Sequence, residues 1–426
     1  MGLSVPFERR VTMENTQTRV AIVGGGAAGM MASIYAALNG AQVTLFEKND
    51  RLGKKLAITG KGRCNVTNDC ENAEFLKNVI SNPKFLYASI NAFSTEDTKA
   101  FFENAGVPLK TERGRRVFPE SDSAHDIVNA LKKTLTEYGV LIKNEKVMEI
   151  FAEDGQIKGL KTSRGEYSFD SVVIATGGKS YTGTGSDGDG YLFAQDLGHK
   201  ITPLLPSLVP LETVEDVSEI MGLSLKNVVL KIRNNENGKI IFEEMGEMLF
   251  THFGISGPLT LSASCHMANV VRGKYTAMID LKPALDVQTL DARVLSDFSK
   301  SLNKDFANSL GALLPSKIVP YIVRKSKIPP TAKVNSITKE QRQALVNLLK
   351  GLCLDIRGFR SLNEAIVTRG GIKTNEINPS TMESKIIKGL YFAGEVIDVD
   401  AYTGGYNLQI AFSTGALAGT HSAWKD

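Results

Sequence analysis

The sequence predicts an α/β protein: a doubly wound, Rossmann-like dinucleotide-binding domain into which a small antiparallel β-barrel and a small helical domain are inserted. Three observations carry that reading. The apolar, β-branched run Val20-Ala21-Ile22-Val23 stops in glycines spaced G-x-G-x-x-G (Gly24, Gly26, Gly29). The next apolar run, Gln42-Val43-Thr44-Leu45-Phe46, ends in Glu47, 18 positions after Gly29. The tail, from Gly389 onward, returns to the same strand–glycine–helix texture after a middle of different composition.

Each part of the first unit has a physical task. Gly24 permits a tight turn, Gly26 lets a pyrophosphate approach the backbone, and Gly29 lets helix and strand pack closely. The helix that opens there, reading from Met30 to Leu38, offers free N–H donors and a partial positive charge. A carboxylate at Glu47 accepts from both hydroxyls of an adenosine ribose and repels a 2′-phosphate.

At 426 residues the chain is too long for one core. With 42% hydrophobic and 23% charged residues it is an ordinary globular composition, and no apolar run is long enough to span a bilayer. The formal net charge of +4 gives no case for a nucleic-acid or membrane partner. The four cysteines (Cys64, Cys70, Cys265, Cys353) show neither C-x-x-C nor metal-ligand spacing, so free thiols in a reducing cytoplasm are expected and no metal site is. Residues 1–18 lack an apolar signal core and read as a flexible extension, with Met13 an equally good start.

Lys48 to Leu56 and Thr59 to Asn68 are glycine-punctuated, cationic and rich in amides. They read as a lid whose Arg63 and Asn65 reach a bound cofactor, or as a plain solvated loop. Helical stretches follow around residues 72–80, 84–92 and 95–105. A hairpin over 111–118 ends at Pro119, and Asp122 to Tyr138 is a helix capped by Ser121 or Asp122. Strands at Val140–Ile142 and Lys146–Ile150 lead into a polar β-ribbon over 155–169, then a buried strand, Ser171–Ala175, stopped by Thr176-Gly177-Gly178. A ribbon in place of a crossover helix fits the FAD-binding version of the fold, with Ala175, Thr176 and Gly177 beneath the cofactor and the Val147 backbone against its adenine. A second G-x-G-x-x-G, Gly183 to Gly188, follows the polar Lys179-Ser180-Tyr181-Thr182 rather than an apolar strand. It reads as a loop near the same cofactor, not as a second nucleotide site.

From about residue 200 short alternating segments suggest a small antiparallel sheet or barrel over 207–252, and 286–350 turns helical between prolines. Strands return over 352–369. In the tail, Gly389 to Glu395 is a strand ending in a glycine and an acid, and Thr403-Gly404-Gly405 opens a helix to about Gly419. That helix N-terminus suits the electron-rich edge of a reduced flavin, and Glu395 suits ribityl hydroxyls.

Taken together, Val23-Gly24-Gly25-Gly26-Ala27-Ala28-Gly29, Lys61 to Asn68, Arg116-Val117-Phe118-Pro119, Phe250 to Pro258 and Gly394 to Asp400 closely resemble the BaiN/YhiN family of flavoproteins, which also includes aminoacetone oxidase. The resemblance runs from about residue 19 to the end. It implies bound FAD and a discontinuous FAD domain (19–198 and 370–426). Inserted in it are a translation-factor-like barrel (199–283 and 351–369) and a helical domain (284–350). Residues expected at the cofactor are Gly24, Gly26, Ala28, Gly29, Glu47, Lys48, Gly62, Arg63, Asn65, Val147, Ala175, Thr176, Gly177, Gly394, Glu395, Gly405, Asn407 and Leu408.

A flavin brings hydride chemistry through N5, and the protein positions the substrate. His252, beside a glycine-rich turn, is the candidate acid/base or a structural histidine. Tyr402 donates to a substrate carbonyl or packs. Arg115 and Arg116 bind an anionic group or cover a hairpin tip. Three functions follow: an NADH- or NADPH-fed reductase of a conjugated or carbonyl small molecule, an aminoacetone-type amine oxidase using oxygen, or an FAD-stabilised scaffold for RNA or protein. The first is preferred, and the oligomeric state stays open.

Overall fold

The strand that precedes the glycines is buried on both faces, which is why its run is continuously apolar rather than alternating. In the computed structural model, which describes residues 17–424, Arg19–Val23 is the middle of a five-stranded parallel sheet. The order across that sheet is Leu390–Phe392, Ser171–Ile174, Arg19–Val23, Gln42–Phe46 and Leu141–Lys143. All but the last two residues of the expected N-terminal extension lie outside the described residues. Helix Ala27–Leu38 packs on helix Tyr406–Ser422 at very close range. A Cβ on Gly415 would stand 2.5 Å from the Ala28 carbonyl oxygen, and one on Gly419 2.2 Å from that of Ala32. The three-stranded ribbon Val147–Glu153, Gln156–Thr162, Glu166–Ser168 is antiparallel and takes the crossover position.

The middle of the chain closes into a six-stranded antiparallel barrel. Its order is Leu211–Thr213, Gly254–Ser256, Ile240–Phe250, Ser224–Asn234, Tyr275–Asp280 and Leu352–Phe359, the last pairing with the first. Between its last two strands in sequence come helices Val287–Ser299, Val319–Ser326 and Lys339–Lys350. They do not build a core of their own: Leu290, Phe298 and Tyr321 join Leu230, Phe250 and Leu354 in one apolar cluster. Leu208, Cys265 and Val367 form a separate small cluster, with Leu261 and Tyr402 against it; Tyr402 also packs on the sheet-domain core.

One cap differs from expectation. Helix Ala124–Glu137 starts after Ser123 and has no side-chain cap. Asp122 is held in a left-handed turn (φ 55°). Its carboxylate accepts from Arg63 Nε at 2.8 Å and pairs with Lys110 at 2.9 Å, so it is unavailable to the helix.

Candidate functional site

In open α/β sheets ligands sit beyond the carboxyl ends of the strands. There the structure has a cavity of about 570 Å³. Its walls are the Val23–Ala28 turn, the 46–49 and 175–177 strand ends, the 54–65 segment, Val147, the 184–186 loop and the start of the C-terminal helix. The second glycine motif therefore lies on the wall of the same cavity. Among the described residues no group of three or more His, Cys, Asp or Glu is placed to hold a metal ion, and no helix is long and apolar enough to cross a membrane. All four cysteines are free; burial pushes the Cys64 thiol up to about 12, so it is no thiolate nucleophile.

The three motif glycines do different work. Gly24 has φ +107°, and a Cβ there would lie 2.6 Å from the Ala175 carbonyl oxygen. A Cβ on Gly29 would lie 1.8 Å from that of Gly24. Both serve the protein's own packing, and Gly29 does not line the cavity. Gly26 has an ordinary φ of −83°, and a Cβ there meets nothing within 4 Å. Its missing side chain leaves space on the cavity side, at an N-terminus with no side-chain cap and no acid in its first turn.

Other atoms also call for a bound group. Asn65 Oδ1 and Thr176 Oγ1 are buried without a protein partner, and both residues line the cavity. The C-terminal helix is capped by Gly405 (φ +98°), where a Cβ would be 2.3 Å from the Thr67 carbonyl oxygen; that end too has no side-chain cap. Ala28, Val147, Ala175, Gly177 and Leu408 complete the expected residues on the wall. These features fit a dinucleotide: two open helix N-termini, backbone kept bare, and unmatched polar atoms.

Several expected ligands are engaged otherwise. Glu47 Oε2 accepts from the Gly25 N–H at 2.8 Å, and Oε1 from the Asn49 N–H at 2.8 Å and Nδ2 at 2.7 Å. A carboxylate has about four acceptor positions, so roughly one remains for a ribose hydroxyl rather than the pair expected. Lys48 Nζ is held by Asp187 at 2.6 Å and Asp189 at 2.8 Å. Arg63 lines the cavity, but its guanidinium is bound to Glu112 and Asp122 and lies 4.2 Å over the Phe118 ring. Glu395 pairs with Lys55 Nζ at 2.8 Å and accepts from the Thr368 N–H at 2.8 Å and Ser180 Oγ at 3.1 Å. Asn407 donates to the Ala401 and Tyr402 carbonyls at 2.8 and 3.2 Å, so it fixes the loop that carries Tyr402.

Besides Gly29, four expected residues lie off the wall. Gly62 sits on the lid's outer turn at φ +83°, and a Cβ there meets nothing within 4 Å. A Cβ on Gly394 (φ +77°) would stand 2.8 Å from the Ala28 Cβ, and the turn there lets Glu395 reach the cavity. Arg115 is at the exposed hairpin tip, whereas Arg116 lines the cavity. His252 is exposed, its ring against Phe253 at 5.0 Å and outside the lining. His252→Ala should therefore keep turnover within about threefold of the parent, roughly 0.65 kcal/mol of barrier; a larger loss in steady-state kinetics would restore the acid/base role.

Sequence reasoning missed Lys55, Thr368 and His266. Lys55 belonged to a cationic run, with nothing to tie it to a glutamate late in the chain. The hydroxyl of Tyr402, on the cavity wall, is 2.5 Å from His266 Nε2.

Residues 18–421 match the HI0933-like protein Rossmann domain family. The chain belongs to that family. The resemblance to BaiN/YhiN proteins drawn from the motifs is borne out, and this HI0933-like protein is an FAD-dependent oxidoreductase. It is 31% identical, over 95% of its length and 99% of the relative's, to a 3-dehydro-bile acid delta(4,6)-reductase of Clostridium scindens. It is 30% identical, over 92% of its length and 95% of the relative's, to a ribosomal RNA dihydrouridine synthase of Escherichia coli. Among solved structures, Mycobacterium smegmatis Sdh1 in complex with UQ1 shares the fold, with a TM-score of 0.50, 16% identity, and coverage of 95% of this chain and 69% of that one.

Proposed function

We propose that this HI0933-like protein reduces a carbon–carbon double bond conjugated to a carbonyl in a largely apolar small molecule, with NADH or NADPH as transient reductant. The observation that carries the reading is the apolar part of the cavity. Leu208, Pro258 and Leu261 face it together with Ile366 and Val367, and the Tyr402 hydroxyl is the polar group among them. Such a wall suits a flat hydrocarbon body held by one oriented polar contact.

Bound FAD supplies the hydride chemistry. The protein's share is to hold the substrate against the apolar wall, keep water from it and donate to its carbonyl or carbon through Tyr402. The phosphates would lie at Gly26 and the open helix end, and the buried Asn65 and Thr176 oxygens would meet the cofactor's polar atoms. Both named relatives support the reaction class, since a delta(4,6)-reductase of a 3-oxo compound and a dihydrouridine synthase each reduce a C=C bond next to a carbonyl.

The second relative favours a further reading, a uracil ring in ribosomal RNA as the substrate. The net charge of +4 and the apolar wall weigh against it. An amine oxidase fits less well, because a cationic substrate needs an acceptor. The carboxylates lining the cavity are engaged: Glu395 by Lys55, Asp189 by Lys48, Glu47 by Gly25 and Asn49, and Glu145 by Thr162 and Tyr167.

An anaerobic absorbance titration tests the proposal. NADH or NADPH should bleach the flavin band of the reconstituted protein, and a steroid 4-en-3-one should restore it. Restoration by a uridine-containing ribosomal RNA fragment and not by the enone would move the assignment to RNA. Bleaching by aminoacetone alone, reversed by air with peroxide release, would make it an oxidase.

A further inference from the structure

We propose that His266 is the solvent-side proton source for Tyr402, the two forming a relay that delivers the proton completing the reduction. The inference rests on the reductase reading above. It starts from how the pair is held.

His266 lies just past the helix Pro258–Ser264. Its ring packs on Phe242 at 5.4 Å and on Tyr402 at 5.7 Å, both tilted. Tyr402 is fixed from its own side: its N–H donates to the Asn78 carbonyl at 3.0 Å, and its carbonyl accepts from Asn407. The hydroxyl thus has a defined position, with the cavity before it and His266 Nε2 at 2.5 Å behind it. The phenol is half-buried and the histidine exposed, so the pair runs from the cavity to solvent.

The surrounding charges set what each partner can do. Burial, with the charges of Glu244 and Cys265 adding to it, pushes the Tyr402 phenol up to about 12. A lone phenol of that kind stays protonated through the working range and parts with its proton reluctantly. Its oxygen must be reprotonated as it gives the proton up. Partial desolvation of the ring where it packs on Phe242 and Tyr402, and the Arg369 guanidinium, which donates to the Cys265 carbonyl at 3.0 Å, hold His266 below the usual imidazole range, against the opposing pull of Asp400. An imidazolium made easier to deprotonate is a suitable supplier. Partial desolvation raises the Glu244 carboxyl, whose charge acts on Tyr402 through space.

The step balances. The alkene gains a hydride at one carbon, which the reduced cofactor supplies, and a proton at the other. The Tyr402 O–H bond breaks as the new C–H bond forms, and the His266 imidazolium passes its Nε2 proton to the phenol oxygen. The neutral imidazole then takes a proton from water. Tyr402 is the catalytic residue here, and His266 acts through it.

The test uses holoenzyme reduced with dithionite, so that the identity of the natural electron donor plays no part, and a steroid 4-en-3-one as acceptor. Wild-type single-turnover rates should fall with rising pH through the His266 ionisation. His266→Gln should lose that limb and be at least about tenfold slower at acid pH. Tyr402→Phe should be about 100-fold slower, and the double variant no slower than Tyr402→Phe. In the resting protein, the His266 ring titration followed by NMR should move when Tyr402 becomes Phe. A wild-type protein that leaves the enone unreduced overturns the reductase reading and the relay with it. A wild-type protein that reduces it, with His266→Gln keeping the same pH limb and a rate within threefold, overturns the relay alone, as does a His266 titration indifferent to Tyr402→Phe.

Discussion

Gly26→Val is expected to strip the protein of FAD while leaving the apoprotein folded. Nothing within 4 Å of a Cβ at residue 26 belongs to the protein, and the φ of −83° and ψ of −169° there are open to valine. The folding penalty is that of a poorer N-cap, about 1 kcal/mol at most, and the melting temperature should drop by no more than a few degrees. The two methyl groups would instead occupy the space on which the pyrophosphate depends. We expect FAD affinity to fall by about 100-fold or more, roughly 2.7 kcal/mol. Calorimetry of the apoprotein beside a flavin-fluorescence titration checks both halves. Affinity within about threefold of the parent would show that residue 26 does not face the phosphates.

Gly29→Ala should behave in the opposite way. Helix propensity alone favours alanine by about 1 kcal/mol inside a helix. The Cβ, however, would stand 1.8 Å from the Gly24 carbonyl oxygen, a backbone atom of the turn itself. Relief would require moving the helix off the central strand, and overpacking of this kind costs about 1–3 kcal/mol or more. The steric effect wins, and we expect a net loss of up to about 2 kcal/mol in urea unfolding, with FAD binding lost as a consequence. A stabilised Gly29→Ala variant would mean that the turn and helix are farther apart than described.

These two glycines illustrate what could be read from the letters. Spacing identified strand, turn and helix, because local backbone demands recur in a fixed order. The ribbon and the antiparallel barrel were legible for the same reason, as alternation and turn residues are local signals. What escaped was the pairing of charges. Arg63, Lys48 and Glu395, expected at the cofactor, line the cavity, yet their partners, Glu112, Asp187 and Lys55, lie on other elements. Nothing in a run of cations says which carboxylate will arrive beside it. His252 drew notice because it sits among glycines, whereas His266 sits in Ser264-Cys265-His266-Met267 with no such marker. Only the fold of the barrel-side helix against residue 402 brings the second histidine to the Tyr402 hydroxyl.

The nesting of the chain has a consequence for its biogenesis. Strand Ser171–Ile174 pairs with Leu390–Phe392, so a sheet begun early in synthesis waits for an edge made near the end. At ribosomal rates of about 5–20 residues per second, roughly ten to forty seconds separate the two. During that interval the barrel can close only once Leu352–Phe359 has emerged, since its last strand pairs with its first. The helix Tyr406–Ser422, which packs on the glycine-motif helix, comes later still. The cofactor therefore cannot be enclosed until that helix has emerged. Assembly should be limited by these distant pairings, and free FAD should accelerate recovery from denaturant only in its final phase.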